Sequence, residues 1–191
     1  MHIALIIFFR RLWKKTFHRK SYQLMSILTK LNRLEGDYYK EALQNALKLI
    51  NDGANLYQLD EFGMSSIADY ALCDNQILSA MLQKGLNVNH VRADGKTLLT
   101  ASLNHFSHNN SESNFWTLLE AGADLKGDFY GTVIHAAILW AASEDDALEK
   151  VSGLLEKNAP FTTEDILLAE REPRCYARVA AALRNAAINA P

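Results

Sequence analysis

Proline and cysteine are scarce in this chain, and each scarcity narrows what it can be. Three prolines and nine glycines among 191 residues leave little material for flexible linkers. One folded body with a loosely attached N-terminus is expected. The two cysteines, Cys73 and Cys175, stand 102 residues apart, so they allow one disulfide at most and match no metal-ligand spacing. Each reads more simply as a small buried hydrophobe in a reducing compartment, which points to the cytoplasm. No Gly-x-Ser-x-Gly elbow, His-Glu-x-x-His pair or Walker-type loop occurs. Nothing in the chain argues for an enzyme.

Acidic residues are missing from the first twenty positions. Arg10, Arg11, Lys14, Lys15, Arg19 and Lys20 give that segment +6, while the remainder sets 14 Lys and Arg against 22 Asp and Glu, or −8. An acidic body repels phosphate backbones, which excludes nucleic acid as its expected partner.

The segment opens with an apolar run, Ile3 to Phe9, ahead of its basic residues. A secretory signal has the reverse order and a small-residue cleavage site. The run also falls well short of the roughly 20 residues needed to cross a bilayer. Three readings stand for residues 1–20: a membrane-surface segment, a helix covering the first apolar face of the body, or a stretch outside the working protein. The last follows because Met25 opens Met25-Ser26-Ile27-Leu28 just ahead of the well-patterned region.

Beyond that point the chain repeats itself. Leu49-Ile50-Asn51-Asp52-Gly53-Ala54-Asn55, Met81-Leu82-Gln83-Lys84-Gly85-Leu86-Asn87, Leu118-Leu119-Glu120-Ala121-Gly122-Ala123-Asp124 and Leu154-Leu155-Glu156-Lys157-Asn158-Ala159 are versions of one phrase. Gly53, Gly85, Gly122 and Asn158 are spaced by 32, 37 and 36 residues. An aliphatic pair ends an amphipathic helix, and Gly or Asn follows where the chain turns with positive φ. A second signal is locked in phase: Gly63, Gly95 and Gly131 each precede a Ser or Thr able to cap a new helix.

On these residues the chain resembles the ankyrin-repeat family, whose repeats read Asp-x-x-Gly-x-Thr-Pro-Leu-His-x-Ala before two antiparallel helices and Leu-Leu-x-x-Gly-Ala-Asp. Gly131-Thr132-Val133-Ile134-His135-Ala136-Ala137 is the best match, with Val133 in place of proline. Ser65-Ser66 and Thr97-Leu98 stand for the Thr-Pro pair elsewhere, and Ala68 and Thr100 for the histidine. The resemblance covers roughly residues 40–170 and implies an all-α solenoid of stacked antiparallel helix pairs joined by β-turn loops. Three clear repeats are expected, with divergent capping helices at both ends, as one domain over 21–191. Helix pairs should lie near 65–72 and 75–83, 97–105 and 114–120, and 132–142 and 147–156. Residues 21–50 supply N-terminal helices, and 163–169 with 174–187 a C-terminal pair.

Candidate chemistry is thin. His105 and His108 have a spacing seen in metal sites, but no third ligand lies near them in sequence, so a polar loop is the simpler reading and no metal is expected. His135 is structural by the resemblance, bonding the adjoining turn backbone. Glu144-Asp145-Asp146 suits a helix N-terminus better than an acid–base pair. No cofactor is implied.

What remains is surface. In ankyrin proteins partners meet the turn tips and the exposed face of each first helix. Carried over residue by residue, that gives Glu61, Phe62 and Met64, then Asp94, Lys96, Asn104 and His105, then Phe129, Tyr130, Leu139 and Trp140. Large apolar groups at exposed positions favour protein contact. The expectation is a monomeric, non-catalytic module binding a basic protein in a concave groove, such as an inhibitor or an immunity protein for a toxin or enzyme. The other reading is an adaptor held at a membrane surface through residues 1–20.

Overall fold

The computed structural model describes residues 19–104, 111–128, 131–171 and 176–189. They are mainly helical, and the only extended pairing among them is two isolated bridges, Leu59 with Ser66 and Asp128 with Gly131. The chain divides into two compact units, residues 1–94 and 95–191.

Unit 1 begins with α1 (Arg19–Leu31) and α2 (Gly36–Asn51), joined by a short turn. In α1 the buried set Ser21, Leu24, Met25, Leu28 and Leu31 follows the spacing of one helical face. Two bonds tie the start of α1 to the end of α2. Lys20 Nζ donates to the Asp52 carbonyl at 2.8 Å, and Ser21 Oγ accepts the Asn55 N–H at 2.9 Å. A 3₁₀ segment, Ile67–Cys73, and α3 (Asn75–Gln83) complete the unit, with Ile67, Leu72, Ile77, Leu78 and Met81 fully buried. Between those last two elements Asp74 accepts the Gln76 and Ile77 N–H groups, and it also takes the Tyr39 hydroxyl at 2.5 Å.

Unit 2 contains α4 (Leu98–Ser102), α5 (Ser111–Glu120), α6 (Val133–Leu139), α7 (Glu144–Glu156), α8 (Thr163–Arg171) and α9 (Ala177–Asn189). α4 packs on α5 and α6, α6 on α7 and α8, and α9 on α7 and α8. Phe115, Leu118, Val133, Ile134, Ile138, Val151, Leu154 and Leu183 are fully buried. Gly153 admits the Trp116 ring, whose edge would lie 2.6 Å from an added Cβ.

The four repeated phrases adopt one geometry. At each, the residue with positive φ bonds the carbonyl three before it, and its successor bonds the carbonyl five before. The pairs are Gly53 to Ile50 with Ala54 to Leu49, Gly85 to Leu82 with Leu86 to Met81, Gly122 to Leu119 with Ala123 to Leu118, and Asn158 to Leu155 with Ala159 to Leu154. This double bond consumes helix-end carbonyls that would otherwise be orphaned. Asn158, at φ 59°, is the only non-glycine among the described residues with positive φ.

Helix boundaries differ from the sequence expectation where caps intervene. Ser143 caps α7, so the helix starts at Glu144 rather than near 147. Its predecessor α6 stops at Leu139 rather than near 142. The first expected helix is a 3₁₀ segment, and α4 has five residues. Register also shifts by one at the first turn. Ser66, not Ser65, precedes the 3₁₀ segment in capping position, so Asp69 rather than Ala68 corresponds to Thr100 and His135. Two residues separate Gly63 from Ser66, one separates Gly95 from Thr97, and Gly131 adjoins Thr132.

Candidate functional site

The side chains three positions after each cap build joints to the following turn. In unit 1 the Asp69 carboxylate reaches back to the Ser66 N–H at 2.6 Å. Its other oxygen meets His90 Nε2 at 2.9 Å and the Ala93 N–H at 3.3 Å. In unit 2 the Asp128 carboxylate accepts the Thr97 N–H at 3.4 Å and the Thr100 hydroxyl. The buried Asp165 accepts Thr132 Oγ1 at 3.1 Å and lies 3.3 Å from His135 Nδ1. Its second oxygen takes the Thr162 N–H at 2.8 Å. His135 takes part in this joint, and its partner there is a carboxylate rather than the turn backbone expected from the resemblance. The first and last joints use the same pair, Asp and His, with the two residues exchanged.

The acidic run at 144–146 opens α7. Asp146 accepts the Ala142 N–H at 2.8 Å and pairs with the buried Lys150 ammonium at 2.6 Å. Arg178 bridges Glu144 and Asp145. The Arg178 backbone N–H, and then its guanidinium, hold the Glu144 carboxyl below its usual range. These groups are engaged in capping and pairing. Among the described residues no three His, Cys, Asp or Glu side chains gather as metal ligands. His105 and His108 lie outside the described residues.

Against that background the first turn tip is distinctive. Asp60 closes the turn on itself: its carboxylate accepts the N–H groups of Phe62 at 3.0 Å, Met64 at 2.9 Å and Ser65 at 3.2 Å. With Asp60 held, Phe62 and Met64 project, 76% and 72% exposed. Phe62 and Glu61 then form one wall of an open groove of about 740 Å³. Its other wall is α1, with Arg19, Tyr22, Met25 and Thr29, and Tyr70 contributes from the 3₁₀ segment. Partial burial and the facing carboxylates of Glu61 and Asp60 push the Tyr22 hydroxyl upward.

The other expected contact residues divide by environment. Asp94 is exposed and lies 3.6 Å from Arg92. In unit 2 the Lys96 ammonium sits 4.2 Å from the centroid of the Trp140 ring, both side chains being half-buried. Leu139 beside them is 43% exposed, and Asn104 is half-buried. His105, Phe129 and Tyr130 lie outside the described residues. Of the groove's lining, Glu61 and Phe62 are among the contact residues expected from the sequence, and Tyr22, Thr29 and Tyr70 are not. No local signal marks them, because Tyr22 and Tyr70 meet only through the packing of α1 on the 3₁₀ segment.

Among the described residues no helix is long and apolar enough to cross a membrane. No known protein-family model matches the chain, and no curated protein is significantly similar to it.

Proposed function

We propose that this protein is a non-catalytic, ankyrin-like binding module that holds a partner protein at the tips of its turns. The observation that carries the reading is the Asp60-closed turn. It spends a carboxylate on three backbone N–H groups, and the result is two large apolar side chains standing in water beside an aromatic groove. Exposing Phe62 and Met64 brings folding no benefit, whereas a rigid apolar anchor in a polar surround is the common form of a contact hot spot.

The ankyrin-like arrangement draws on four helix ends of one geometry, capped turns at regular intervals, and side-chain joints from each cap to the next turn. The histidines and carboxylates of the described joints are taken up by those joints, which favours a scaffold over a reaction centre. A buried free thiol at Cys73 suits a reducing compartment such as the cytoplasm. The net −8 of residues 21–191 favours a basic partner, because complementary charge speeds encounter. An inhibitor or immunity protein facing a basic toxin or enzyme fits that balance.

The test is capture of a partner from lysate of the native source on the immobilised full chain, beside Phe62→Ala/Met64→Ala and Lys96→Ala/Trp140→Ala variants. Capture of one basic protein in near-equal amount, lost in the first variant, supports the site. Equal retention by both variants removes it.

A further inference from the structure

The groove between α1 and the first turn tip carries its negative charge on one wall. Glu61 stands exposed there, beside the Asp60 carboxylate, whose three backbone N–H bonds leave its charge in place. The charges that act on the Tyr22 hydroxyl, on the α1 wall, are those same two carboxylates, so their field spans the groove. Arg19, at the start of α1, is the one cation among the described lining residues, and the two carboxylates outnumber it. Tyr22, Phe62 and Tyr70 add three rings, and the face of an aromatic ring also attracts cations.

We propose that this groove receives a lysine or arginine side chain from a short linear segment of the partner protein, with an apolar neighbour of that residue against Phe62. The proposal rests on the reading of the Asp60-closed turn as the contact site, and it goes further by naming what the groove accepts. Carboxylates beside ring faces suit a cation on a long apolar stem, because the head is drawn to the charge while the methylenes cover apolar surface. About 740 Å³ has room for several side chains of an extended segment and lies within the range of ligand clefts. An acidic segment would meet Glu61 and Asp60 with like charge. A wholly apolar one would desolvate both carboxylates without compensation.

The test selects displayed random peptides on the immobilised full chain and measures a selected sequence, once synthesised, by titration calorimetry. Arg or Lys beside an aliphatic or aromatic residue should be enriched, and affinity should fall as salt is raised. Glu61→Gln should weaken the peptide about threefold and Glu61→Lys about tenfold. Phe62→Ala should weaken it about tenfold. Two changes should leave affinity within about twofold: Glu164→Lys, exposed in unit 2, and Lys48→Gln, in the neighbouring groove that Arg19, Lys20 and Lys48 line between α1 and α2. Circular dichroism checks that the variants remain folded. The proposal is overturned if nothing is enriched, if the enriched peptides are acidic or lack Arg and Lys, if replacing the selected cation by Gln leaves affinity unchanged, or if Glu61→Lys loses no more than Glu164→Lys. Capture from lysate judges the contact site separately. A partner lost with Phe62→Ala/Met64→Ala keeps that site even where the selected peptides lack a cation, and a partner retained by that variant removes it even where the peptides need Glu61.

Discussion

In unit 1 the turn before the first short helix has two residues between Gly63 and Ser66, and it holds Phe62 and Met64 away from the body. In unit 2 the equivalent stretches have one residue between Gly95 and Thr97 and none between Gly131 and Thr132. There Lys96 lies over Trp140 and the ring is half-covered. The capping logic is shared, since Ser66, Thr97 and Thr132 all occupy the same place before a short helix. What differs is the residue left over. The longer tip, closed by Asp60, presents Phe62 and Met64, whereas in the shorter tip at Gly95 Lys96 lies over a ring of its own unit. After the glycine, Met64 stands exposed in the longer tip, while Lys96 is half-buried in the shorter one at Gly95.

The units also differ in what anchors them, which gives four ways to press the comparison. The largest effect is expected in unit 1. A chain begun at Met25 loses Leu24, fully buried, and the Ser21 hydroxyl that accepts the Asn55 N–H. The loss should be about 3–5 kcal/mol, combining apolar burial with a stranded backbone donor. Hydrogen exchange should show α2 amides losing protection while α7 amides keep theirs. Unchanged protection in α2 would mean that the first turn of α1 contributes nothing to this unit.

The matching probe in unit 2 is Gly153→Ala, whose methyl group meets the Trp116 ring at 2.6 Å. Overpacking of this kind costs about 1–3 kcal/mol. Thermal unfolding should show the loss, and Trp116→Leu added to Gly153→Ala should recover part of it, a non-additivity expected only of touching residues. Strict additivity would contradict the packing described.

Opposite pH limbs should follow. Burial first, and then the Asp74 charge, push the Cys73 thiol to about 12. A raised thiol stabilises fully below its unfolded value near 8.5 and loses that contribution as pH climbs through the folded value. Unit 1 should therefore weaken between about pH 8.5 and 12, and Cys73→Ala should flatten that limb. Glu144 in unit 2 is lowered by Arg178, so its contribution holds above the ordinary carboxylate range and fades as pH falls through the folded value. Glu144→Gln should flatten the acid limb of unit 2. Melting temperatures across pH, read beside residue-level exchange, separate the two. The smallest effect is expected at Asn158, where Gly removes the cost of an L side chain at φ 59° and should add at most about 1 kcal/mol. A lower melting temperature for Asn158→Gly would mean that its side chain does more than turn the chain.

Much of this was legible because it is local. The phrases ending at Gly53, Gly85, Gly122 and Asn158 encode their own hydrogen bonds within six residues, so pattern and geometry coincide. The placement of Ser65 and Ala68 was misjudged for an equally local reason: Gly63 invites alignment with Gly95, but the Asp60 carboxylate accommodates an extra residue before the cap. The partner of His135 was misjudged because Asp165 is thirty residues away in sequence, and no nearby residue announces it.

By itself, then, the sequence determined the helical content, the four Gly or Asn turns that close helices, the scarcity of reactive groups and the division of charge between residues 1–20 and the rest. Each depends on neighbours along the chain or on composition alone. Tertiary structure decided which side chains meet: Tyr22 with Tyr70 and Phe62 around one groove, Lys48 with Arg19 and Lys20 around another, and His with Asp at the joints. Those meetings bring together residues 21 to 48 positions apart, and only the burial of shared apolar faces determines which helix lies beside which.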